Sequence, residues 1–436
     1  MHSIMKPKRK HGLQPNHILL IGFLAIILIG SLLLSLPLAQ NQNVSLSYLD
    51  ALFISTSAVC VTGLVTVDVA LTFSLFGRTI IGLLILLGGL GFASIVISFS
   101  LLLGMNIGIG KRTLIKEAYN LTSMQGTLRV VRAVAIAGFA FQALGTLVEY
   151  FIFRSTYAPS AAFGHALFNT ISAFNNAGFD LMGEYKSLTD YRTHLGMNLT
   201  TSFLIILGGS GFFVLADVFR NRRWSKLSMH SKIVLTMNLV LLAGGTLFFA
   251  LEERLDLLSS FFQSATARTA GFNTVDIGSF SQAGLLFMMG LMFIGASPGS
   301  TGGGIKTTTT FTLFLSLSSL MFRREPAAFK RKVGNESILK AFQVLLLSSF
   351  LVSGGSFLLL LIEEERFSFI SVLFETVSAF ATVGLSTGIT PELGSLSKGV
   401  IMIIMFAGRV GPITIATSLK AKPSHLSHVE EQVFIG

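Results

Sequence analysis

The sequence has few charged residues and almost no cysteine. Only 12% of its 436 residues are charged, whereas soluble globular domains carry about 25%, so a soluble protein of this length is excluded. The single cysteine, Cys60, excludes an intramolecular disulfide and any site with several cysteine ligands. The eight histidines show no metal-binding spacing. Apolar residues are abundant instead, at 51% with a mean hydropathy of +0.72, which indicates a membrane protein.

Eight apolar runs are long enough to cross a bilayer, which requires about 20 residues. We therefore expect an all-α integral membrane protein with eight transmembrane helices. Two runs, 76–103 and 282–321, exceed one straight span and must bend or break. A secretory signal peptide is the alternative for the first run, but its apolar part is longer than the roughly 7–15 residues typical of such peptides. The runs are 17–38, 76–103, 130–153, 196–219, 231–251, 282–321, 338–361 and 396–419.

Basic residues are concentrated in alternate loops, while acidic residues such as Asp180, Glu252 and Glu363 mark the loops between them. Because lysine and arginine accumulate on the cytoplasmic side of membrane proteins, we expect both termini in the cytoplasm. The net charge of +11 is then a signal of topology, and no nucleic-acid partner is expected. The basic segments are 6–10, 111–132, 220–232, 323–340 and 420–422.

A shorter apolar segment recurs four times between pairs of these runs, at 51–64, 166–179, 259–272 and 372–385. The four copies align without gaps and share a glycine, a phenylalanine ten positions before it, and a small or hydroxyl residue six positions before it. The glycines are Gly63, Gly178, Gly271 and Gly384, the phenylalanines are Phe53, Phe168, Phe261 and Phe374, and the small residues are Ser57, Ser172, Ala265 and Ser378.

Each short segment has room for only two or three helical turns, about half of what a bilayer requires, so it must re-enter instead of crossing. The glycine leaves non-helical backbone at membrane depth, which is tolerated only where protein buries it or a water-filled cavity lies beside it. Four such segments around one axis would form a ring of carbonyl oxygens that can replace the hydration shell of a monovalent cation. A helix C-cap is the alternative for one glycine, but four in register favour the ring.

At these residues the chain resembles the membrane subunit of the Trk/Ktr/HKT superfamily of potassium transporters, and most of all the bacterial Ktr branch. The resemblance implies four M1–P–M2 repeats (helix, re-entrant pore loop, helix) around one pseudo-fourfold pore, with potassium bound at the four glycines. Glycine at position 63 implies potassium selectivity, since some sodium-preferring plant members carry serine there. The implied filter comprises Val61, Thr62, Gly63, Leu64, Asn176, Ala177, Gly178, Phe179, Thr269, Ala270, Gly271, Phe272, Thr382, Val383, Gly384 and Leu385.

The repeats are expected at 17–110, 111–226, 227–325 and 326–422, between a basic N-terminal segment, 1–16, and a C-terminal tail, 423–436. The resemblance implies a homodimer in the bacterial cell membrane, in contact with lipid and with a cytoplasmic ring of RCK subunits that bind nucleotide. Potassium is the expected transported ion. A sodium-coupled symporter or a sodium-permeable transporter on the same scaffold is the alternative, so sodium is a second candidate ion.

No organic cofactor is expected, because no segment of the chain reads as a nucleotide-binding fold. An enzyme is not expected either, because it would need a convergent nucleophile, acid–base pair or metal cluster. The carboxylates within the apolar runs are too few and too scattered for such a site.

The run at 282–321 is interrupted by the sequence GASPGSTGGGIKTTTT. Pro298 removes a helical donor, and Ile305 separates Gly304 from Lys306, which excludes a phosphate-binding P-loop. In the family the matching stretch is an intramembrane loop, here 295–306, that gates the filter; a passive kink is the alternative. The implied gate residues are Gly295, Ser297, Pro298, Gly299, Ser300, Thr301, Gly302, Gly303, Gly304, Lys306 and Arg409.

Arg409 is a charge near the middle of the last apolar run, and such charges are functional candidates by default. We expect it to face the pore and to donate hydrogen bonds to carbonyl groups of the loop; the alternative is an ion pair with Asp217. Lys306 either shares this role or extends to the cytoplasmic face.

Other charged residues of the apolar segments are expected to support the fold. We expect Arg268 and Glu375 to pair behind the filter, since a buried charge without a partner is costly. Glu149 and Asp50 are interpreted as structural, and Asp50 together with Ser47 resembles a capping box at the start of the first short segment.

Overall fold

The computed structural model describes residues 15–42, 44–89, 127–364 and 366–418. These residues exclude most of the predicted N-terminal segment 1–16, the C-terminal tail 423–436, most of the basic segment 111–132 and the end of the run 76–103. Helices dominate, and the small antiparallel pair β1 (Ala327–Ala328) and β2 (Arg331–Lys332) is a departure from the expected all-α fold. The α-helices are α1 (Pro15–Leu34), α2 (Tyr48–Cys60), α3 (Val69–Thr72), α4 (Leu75–Gly89), α5 (Thr127–Phe153), α6 (Pro159–Asn175), α7 (Leu195–Gly209), α8 (Phe212–Asn221), α9 (Met229–Glu252), α10 (Leu257–Thr266), α11 (Gln282–Ile294), α12 (Thr307–Met321), α13 (Asn335–Glu363), α14 (Phe369–Ala381), α15 (Ser395–Val410) and α16 (Pro412–Ser418).

Four long helices, α1, α5, α9 and α13, contain 20 to 29 residues. At about 1.5 Å per residue each reaches the thickness of a bilayer core. Their outer faces expose large apolar side chains, such as Leu251 of α9 at 71% and Phe350 of α13 at 75%. Among the described residues, four helices are long and apolar enough to cross a membrane, or five when α7 and α8 count as one bent span.

Four short helices, α2, α6, α10 and α14, contain 10 to 17 residues and are too short to cross. Local capping explains where they begin. Side chains of Ser47, Asp256 and Ser368 each accept a hydrogen bond from an amide of the first turn, and Pro159 opens α6. Half of the predicted capping box is present, since the Asp50 amide donates to Ser47 Oγ over 3.1 Å. The Asp50 carboxylate accepts from Ser47 Oγ over 2.6 Å, whereas a full capping box would have it accept from the Ser47 amide.

The short helices lie at the centre of a closed cycle of helix contacts. The long helix that precedes each one packs against it, as α1 on α2, α5 on α6, α9 on α10 and α13 on α14. A helix of 13 to 16 residues after each short helix reaches over to the following short helix. In this way α4 packs on α6, α7 on α10, α11 on α14 and α15 on α2. The last contact returns to the first short helix and closes the cycle.

Two runs that the sequence predicts as single spans, 196–219 and 396–419, are broken. The axes of α7 and α8 differ by 97°, and Gly211 at the break has a φ of 88°. Gly411, with a φ of 94°, separates α15 from α16 in the same way. Only glycine adopts such angles without strain, and hydropathy does not register them. The run at 282–321 breaks as expected, between Ile294 and Thr307.

Three helices that follow short helices approach them without a side chain between the backbones. A Cβ atom on Gly88, Gly208 or Gly408 would overlap the carbonyl oxygen of Val59, Phe174 or Phe380, respectively. Each of these carbonyl groups lies four positions before a glycine of the predicted filter. Gly88, Gly208 and Gly408 therefore determine how closely their helices pack against the short helices, next to the predicted filter.

We expect Gly208→Ala and Gly408→Ala to lower the free energy of unfolding by about 1–3 kcal/mol each, because the new methyl group must displace backbone. The measurement is the apparent unfolding temperature of the purified protein in detergent. Gly244→Ala in α9 is the matched control, since no atom lies within 4 Å of a Cβ at that position. Equal unfolding temperatures for the three variants would contradict the close approach.

Candidate functional site

Four segments, which we call the ring segments, follow the four short helices at 61–64, 176–179, 269–272 and 382–385, and all their residues are buried except the partly buried Gly384. A Cβ on Gly63 would lie 2.5 Å from the carbonyl oxygen of Ala177, and one on Gly178 would lie 2.7 Å from that of Ala270. In the same way Gly271 faces the Val383 carbonyl, and Gly384 faces the Thr62 carbonyl. The segments therefore meet in chain order around one axis, and all sixteen residues of the predicted filter lie together.

The backbone of each ring segment is held in a conformation that side chains disfavour. The residue two positions before each glycine has a φ between 50° and 78°, and the glycines themselves have φ between 67° and 93°. Left-handed backbone at a residue with a side chain persists only where the surroundings enforce it. The first residues of the ring segments are Val61, Asn176, Thr269 and Thr382.

Hydroxyl groups explain the small residue six positions before the glycine in two of the four segments, whereas the hydroxyl of Ser172 in the second segment is buried without a hydrogen-bond partner among the described residues. Ser57 Oγ accepts the hydrogen bond of the Gly63 amide over 3.0 Å, and Ser378 Oγ accepts that of Gly384 over 3.1 Å. The third segment differs, because α10 ends two residues earlier relative to its glycine and Ala265 offers no hydroxyl.

The predicted match of the four phenylalanines is also inexact in the third segment. Phe53, Phe168 and Phe374 are buried, but Phe261 is only partly buried and its neighbour Phe262 is fully buried. The early end of α10 accompanies this change in packing. The hydrogen bond that fixes the segment also differs, since Thr266 Oγ1 donates to the Phe272 carbonyl over 2.6 Å.

The predicted loop, 295–306, lies directly against two ring segments. A Cβ on Gly302 would overlap Oγ1 of Thr269, and one on Gly303 would overlap Oγ1 of Thr382. Lys306 Nζ donates to the Gly302 and Gly303 carbonyl groups over 2.6 and 3.2 Å. Lys306 therefore binds the loop and does not extend away from it.

The loop is also docked on the break between α7 and α8. The Ser297 amide donates to the Gly209 carbonyl over 3.0 Å, and the Phe212 amide donates to the Gly299 carbonyl over 3.0 Å. These backbone groups are free to pair because the helix is interrupted there. The break therefore gives the loop its binding partners.

Arg409 joins the loop to two other parts of the chain. Its guanidinium group donates to the Thr301 carbonyl and to the Gly88 carbonyl at the end of α4. The expected hydrogen bond from Arg409 to the loop is thus present. The alternative partner, Asp217, accepts instead from the Ser228 amide and the Ser231 hydroxyl.

The predicted pair of Arg268 and Glu375 is wrong. Arg268 Nη1 donates to Asn238 Oδ1 over 2.5 Å. Glu375 accepts from the Thr387 amide over 3.0 Å and from Thr390 Oγ1 over 2.7 Å. The carboxylate finds enough neutral donors to remain buried without a cation, and it holds the loop that follows the fourth ring segment.

Two other carboxylates tie helices together, as their structural interpretation requires. Glu149 of α5 accepts from Asn169 of α6 over 3.0 Å and from Thr201 of α7 over 3.3 Å. Asp50 of α2 pairs with Lys398 of α15 over 2.8 Å. Both contacts join a short helix to helices that enclose it.

A cavity of about 410 Å³ opens on the side of the ring opposite the loop, and the four ring glycines form part of its wall. Four carboxylates, Asp68, Asp180, Asp276 and Glu392, line it and follow the four ring segments in turn. Burial, together with the nearby charge of Asp68, raises the pKa of Asp180 to about 6. Sequence reasoning did not identify this acidic cavity, although each carboxylate follows its ring glycine by two to eight residues.

The ring offers oxygen atoms to a cation. The Oγ1 atoms of Thr62 and Thr382 are buried and have no hydrogen-bond partner within the described residues. Backbone carbonyl and hydroxyl oxygens suit a partly dehydrated monovalent cation. Among the described residues, no group of three or more His, Cys, Asp or Glu could hold a transition metal.

The arrangement of helices matches that of a solved membrane protein, the potassium transporter TrkH from Vibrio parahaemolyticus. The TM-score is 0.72 over 96% of this chain and 87% of that chain, at 18% sequence identity. The chain therefore has the fold of a membrane transporter.

A profile of the TrkH cation transport proteins matches residues 16–255 and 230–428, and the chain belongs to this family. It is 38% identical to the Ktr system potassium uptake protein B of Bacillus subtilis, over 97% of each chain. It is 35% identical to the potassium/sodium uptake protein NtpJ of Enterococcus hirae, over the full length of both. These relatives are transporters and not enzymes.

We expect Glu375→Ala to lower the free energy of unfolding by about 1–3 kcal/mol, because the buried hydroxyl of Thr390 and the partly buried amide of Thr387 lose their acceptor. The apparent unfolding temperature in detergent measures the effect. Glu336→Ala is the control, since Glu336 pairs with Lys340 at an exposed position and such pairs contribute little.

The same unfolding assay tests whether Arg268 and Glu375 form an ion pair. The effects of Arg268→Gln and Glu375→Gln should add to within about 0.5 kcal/mol, as they do for sites without shared partners. A coupling energy well above that value would show that the two side chains interact.

Proposed function

We propose that the protein takes up potassium across the bacterial cell membrane, with the ring segments as its selectivity filter. The closed order of the four ring glycines carries the proposal, and the names of the Ktr relatives support potassium as the ion. In this arrangement four repeats, 17–110, 111–226, 227–325 and 326–422, surround one pseudo-fourfold pore. Their eight membrane-spanning elements are α1, α4, α5, α7, α9, α11 with α12, α13, and α15.

The path of the ion begins in the acidic cavity. Four carboxylates around its wall attract cations and raise their local concentration. Potassium then loses water to the ring carbonyl groups, beside the unpartnered hydroxyls of Thr62 and Thr382. The membrane potential drives its passage with about 2.3 kcal/mol per charge per 100 mV.

The loop 295–306 acts as the gate beneath this filter. It touches two ring segments, and Lys306 and Arg409 hold it through its own carbonyl groups. Passage of potassium requires the loop to move aside, which breaks these hydrogen bonds. The positive charges of Lys306 and Arg409, which lie against the loop, repel a cation until that movement occurs.

The working unit in this proposal is a homodimer with both termini in the cytoplasm, controlled by a nucleotide-binding RCK subunit. The alternative is a sodium-coupled or sodium-permeable transporter. The name of one relative, the potassium/sodium uptake protein NtpJ, favours this alternative. Flux measured in proteoliposomes, with and without sodium and with and without the regulatory subunit, separates the two functions. Potassium flux that requires a sodium gradient would support coupling.

We expect Gly63→Ser and Gly384→Ser each to lower the preference for potassium over sodium roughly tenfold, which corresponds to about 1.4 kcal/mol. The added side chain meets the neighbouring ring segment and disturbs the carbonyl positions. Uptake of the two ions in a strain without other potassium transporters measures the preference.

Gly388→Ser is the matched control for this prediction. Gly388 also lines the cavity and has a φ of 98°, but no atom lies within 4 Å of a Cβ placed on it. The control therefore adds the same backbone strain without touching the ring. Unchanged selectivity in Gly63→Ser and Gly384→Ser would overturn the filter assignment.

Deletion of residues 299–304 and the substitution Arg409→Gln should both increase potassium flux, because each removes contacts that hold the loop in place. We expect at least a severalfold rise for the deletion and a smaller rise for Arg409→Gln. Proteoliposome flux at fixed protein density measures both, with the exposed Lys340→Gln as control. Equal or reduced flux would favour a passive kink.

A further inference from the structure

Helix α8 turns away from the direction of α7 by 97°. If α7 lies across the bilayer, as the proposed function requires, α8 lies close to the plane of the membrane surface. It is amphipathic, since Asp217, Arg220 and Asn221 fall on one side of the helix and Phe212, Leu215 and Phe219 on the other. The apolar side runs from Phe212, which is buried in the protein, to Phe219, which is 58% exposed. Helices with these properties occupy the boundary between headgroups and acyl chains.

A cluster of exposed basic and aromatic residues follows the end of α8. Trp224, the only tryptophan of the chain, is 51% exposed and lies edge-on to Phe329 with 6.2 Å between ring centroids. This contact brings the turn between β1 and β2 against the segment after α8. We call the set the headgroup cluster; its members are Arg222, Arg223, Trp224, Lys226, Phe329, Lys330 and Arg331.

Within the described residues, no carboxylate lies at ion-pair distance from any basic member of the headgroup cluster. The ion pair that the hairpin does form in this part of the chain joins Lys332 to Glu325. Asp217, in α8 itself, is occupied by Ser228, Ser231 and Asn221. The cluster is thus a concentrated positive charge beside two aromatic rings.

We propose that the headgroup cluster binds the phosphate of an anionic phospholipid in the leaflet that it faces. Arginine and lysine recognise phosphate, aromatic residues settle at the headgroup level, and a helix in the membrane plane places both at the correct depth. A lipid supplies negative charge and apolar chains together, and the exposed Phe219 meets the chains.

The site has a direct connection to the loop. The first residues of α8 contact it, since the Phe212 amide donates to the Gly299 carbonyl and a Cβ on Gly211 would lie 2.5 Å from the Pro298 carbonyl oxygen. A headgroup that holds α8 in the membrane plane therefore also holds the surface on which the loop is docked.

Quenching of Trp224 fluorescence tests the proposal, because the signal comes from one residue. The full-length protein is placed in phosphatidylcholine vesicles that contain a small fraction of brominated phosphatidylglycerol or, separately, brominated phosphatidylcholine. We expect about twofold stronger quenching by the anionic lipid, because the basic cluster enriches it locally. Equal quenching by both lipids would overturn the proposal.

Variants and competitors identify the source of the preference. The pair Arg223→Gln with Arg331→Gln should remove it, while the pair Arg154→Gln with Lys186→Gln, which are exposed basic residues elsewhere, should keep it. Size-exclusion profiles of both double variants test that each one folds. A preference that survives in the first pair, or that free inorganic phosphate abolishes, would contradict a lipid site.

A soluble acidic protein is the other occupant that this surface could take. Equal quenching by both lipids, with a shift of Trp224 emission on addition of a regulatory subunit, would assign the surface to that protein instead. The quenching requires no transport, so its outcome is independent of whether the ring conducts potassium.

Discussion

Backbone that leaves the helical conformation inside a membrane needs hydrogen-bond partners that lipid cannot supply. The ring segments carry this requirement at four places at once, with positive φ at two residues in each. Ser57 and Ser378 meet part of it by accepting from the amides of Gly63 and Gly384. The carbonyl groups of Ser57, Ser172 and Ser378 meet more of it, since they accept from the amides of Thr62, Ala177 and Val383. The outer helices, with their exposed leucine and phenylalanine faces, keep lipid away from the ring segments.

The same requirement governs how the enclosing helices are built. Gly208 and Gly408 remove the side chain that would separate a helix from a carbonyl group of a short helix. A few residues later, Gly211 and Gly411 interrupt the helices. The break at Gly211 exposes backbone groups that bind the loop 295–306. One stretch of chain, from Gly208 to Phe212, therefore both packs closely against a short helix and binds the loop. The mechanism proposed for the gate therefore depends on the packing of the ring.

The sequence predicts the ring because four copies of one pattern reinforce each other, although each copy is weak alone. It predicts the break in the run at 282–321 because Pro298 and several glycines are incompatible with a long helix. The breaks at Gly211 and Gly411 were missed, since a glycine does not lower the hydropathy of an apolar run. The helices break at these two positions because of the backbone angles of the glycines and not because of their polarity.

Partners of buried charges were predicted least well. Arg268 and Glu375 look complementary in sequence, yet their actual partners, such as Asn238 and Thr390, are neutral groups that only the packing of helices and loops brings near. Arg409 was placed correctly in contact with the loop because the resemblance supplied its position. The acidic cavity was missed because its carboxylates come from four separate connecting segments that share no sequence pattern.

The ring is closed by one chain whose four quarters differ. The first and fourth quarters contain the serines Ser57 and Ser378, and the third has Ala265 at the same position. In the second quarter, Asn176 contributes a side-chain amide. In an assembly of four identical subunits, one mutation would alter all four sides together. Here a mutation alters one of the four ring segments and leaves the other three intact. The chemistry of the ring can therefore be changed one segment at a time, during evolution or in the laboratory.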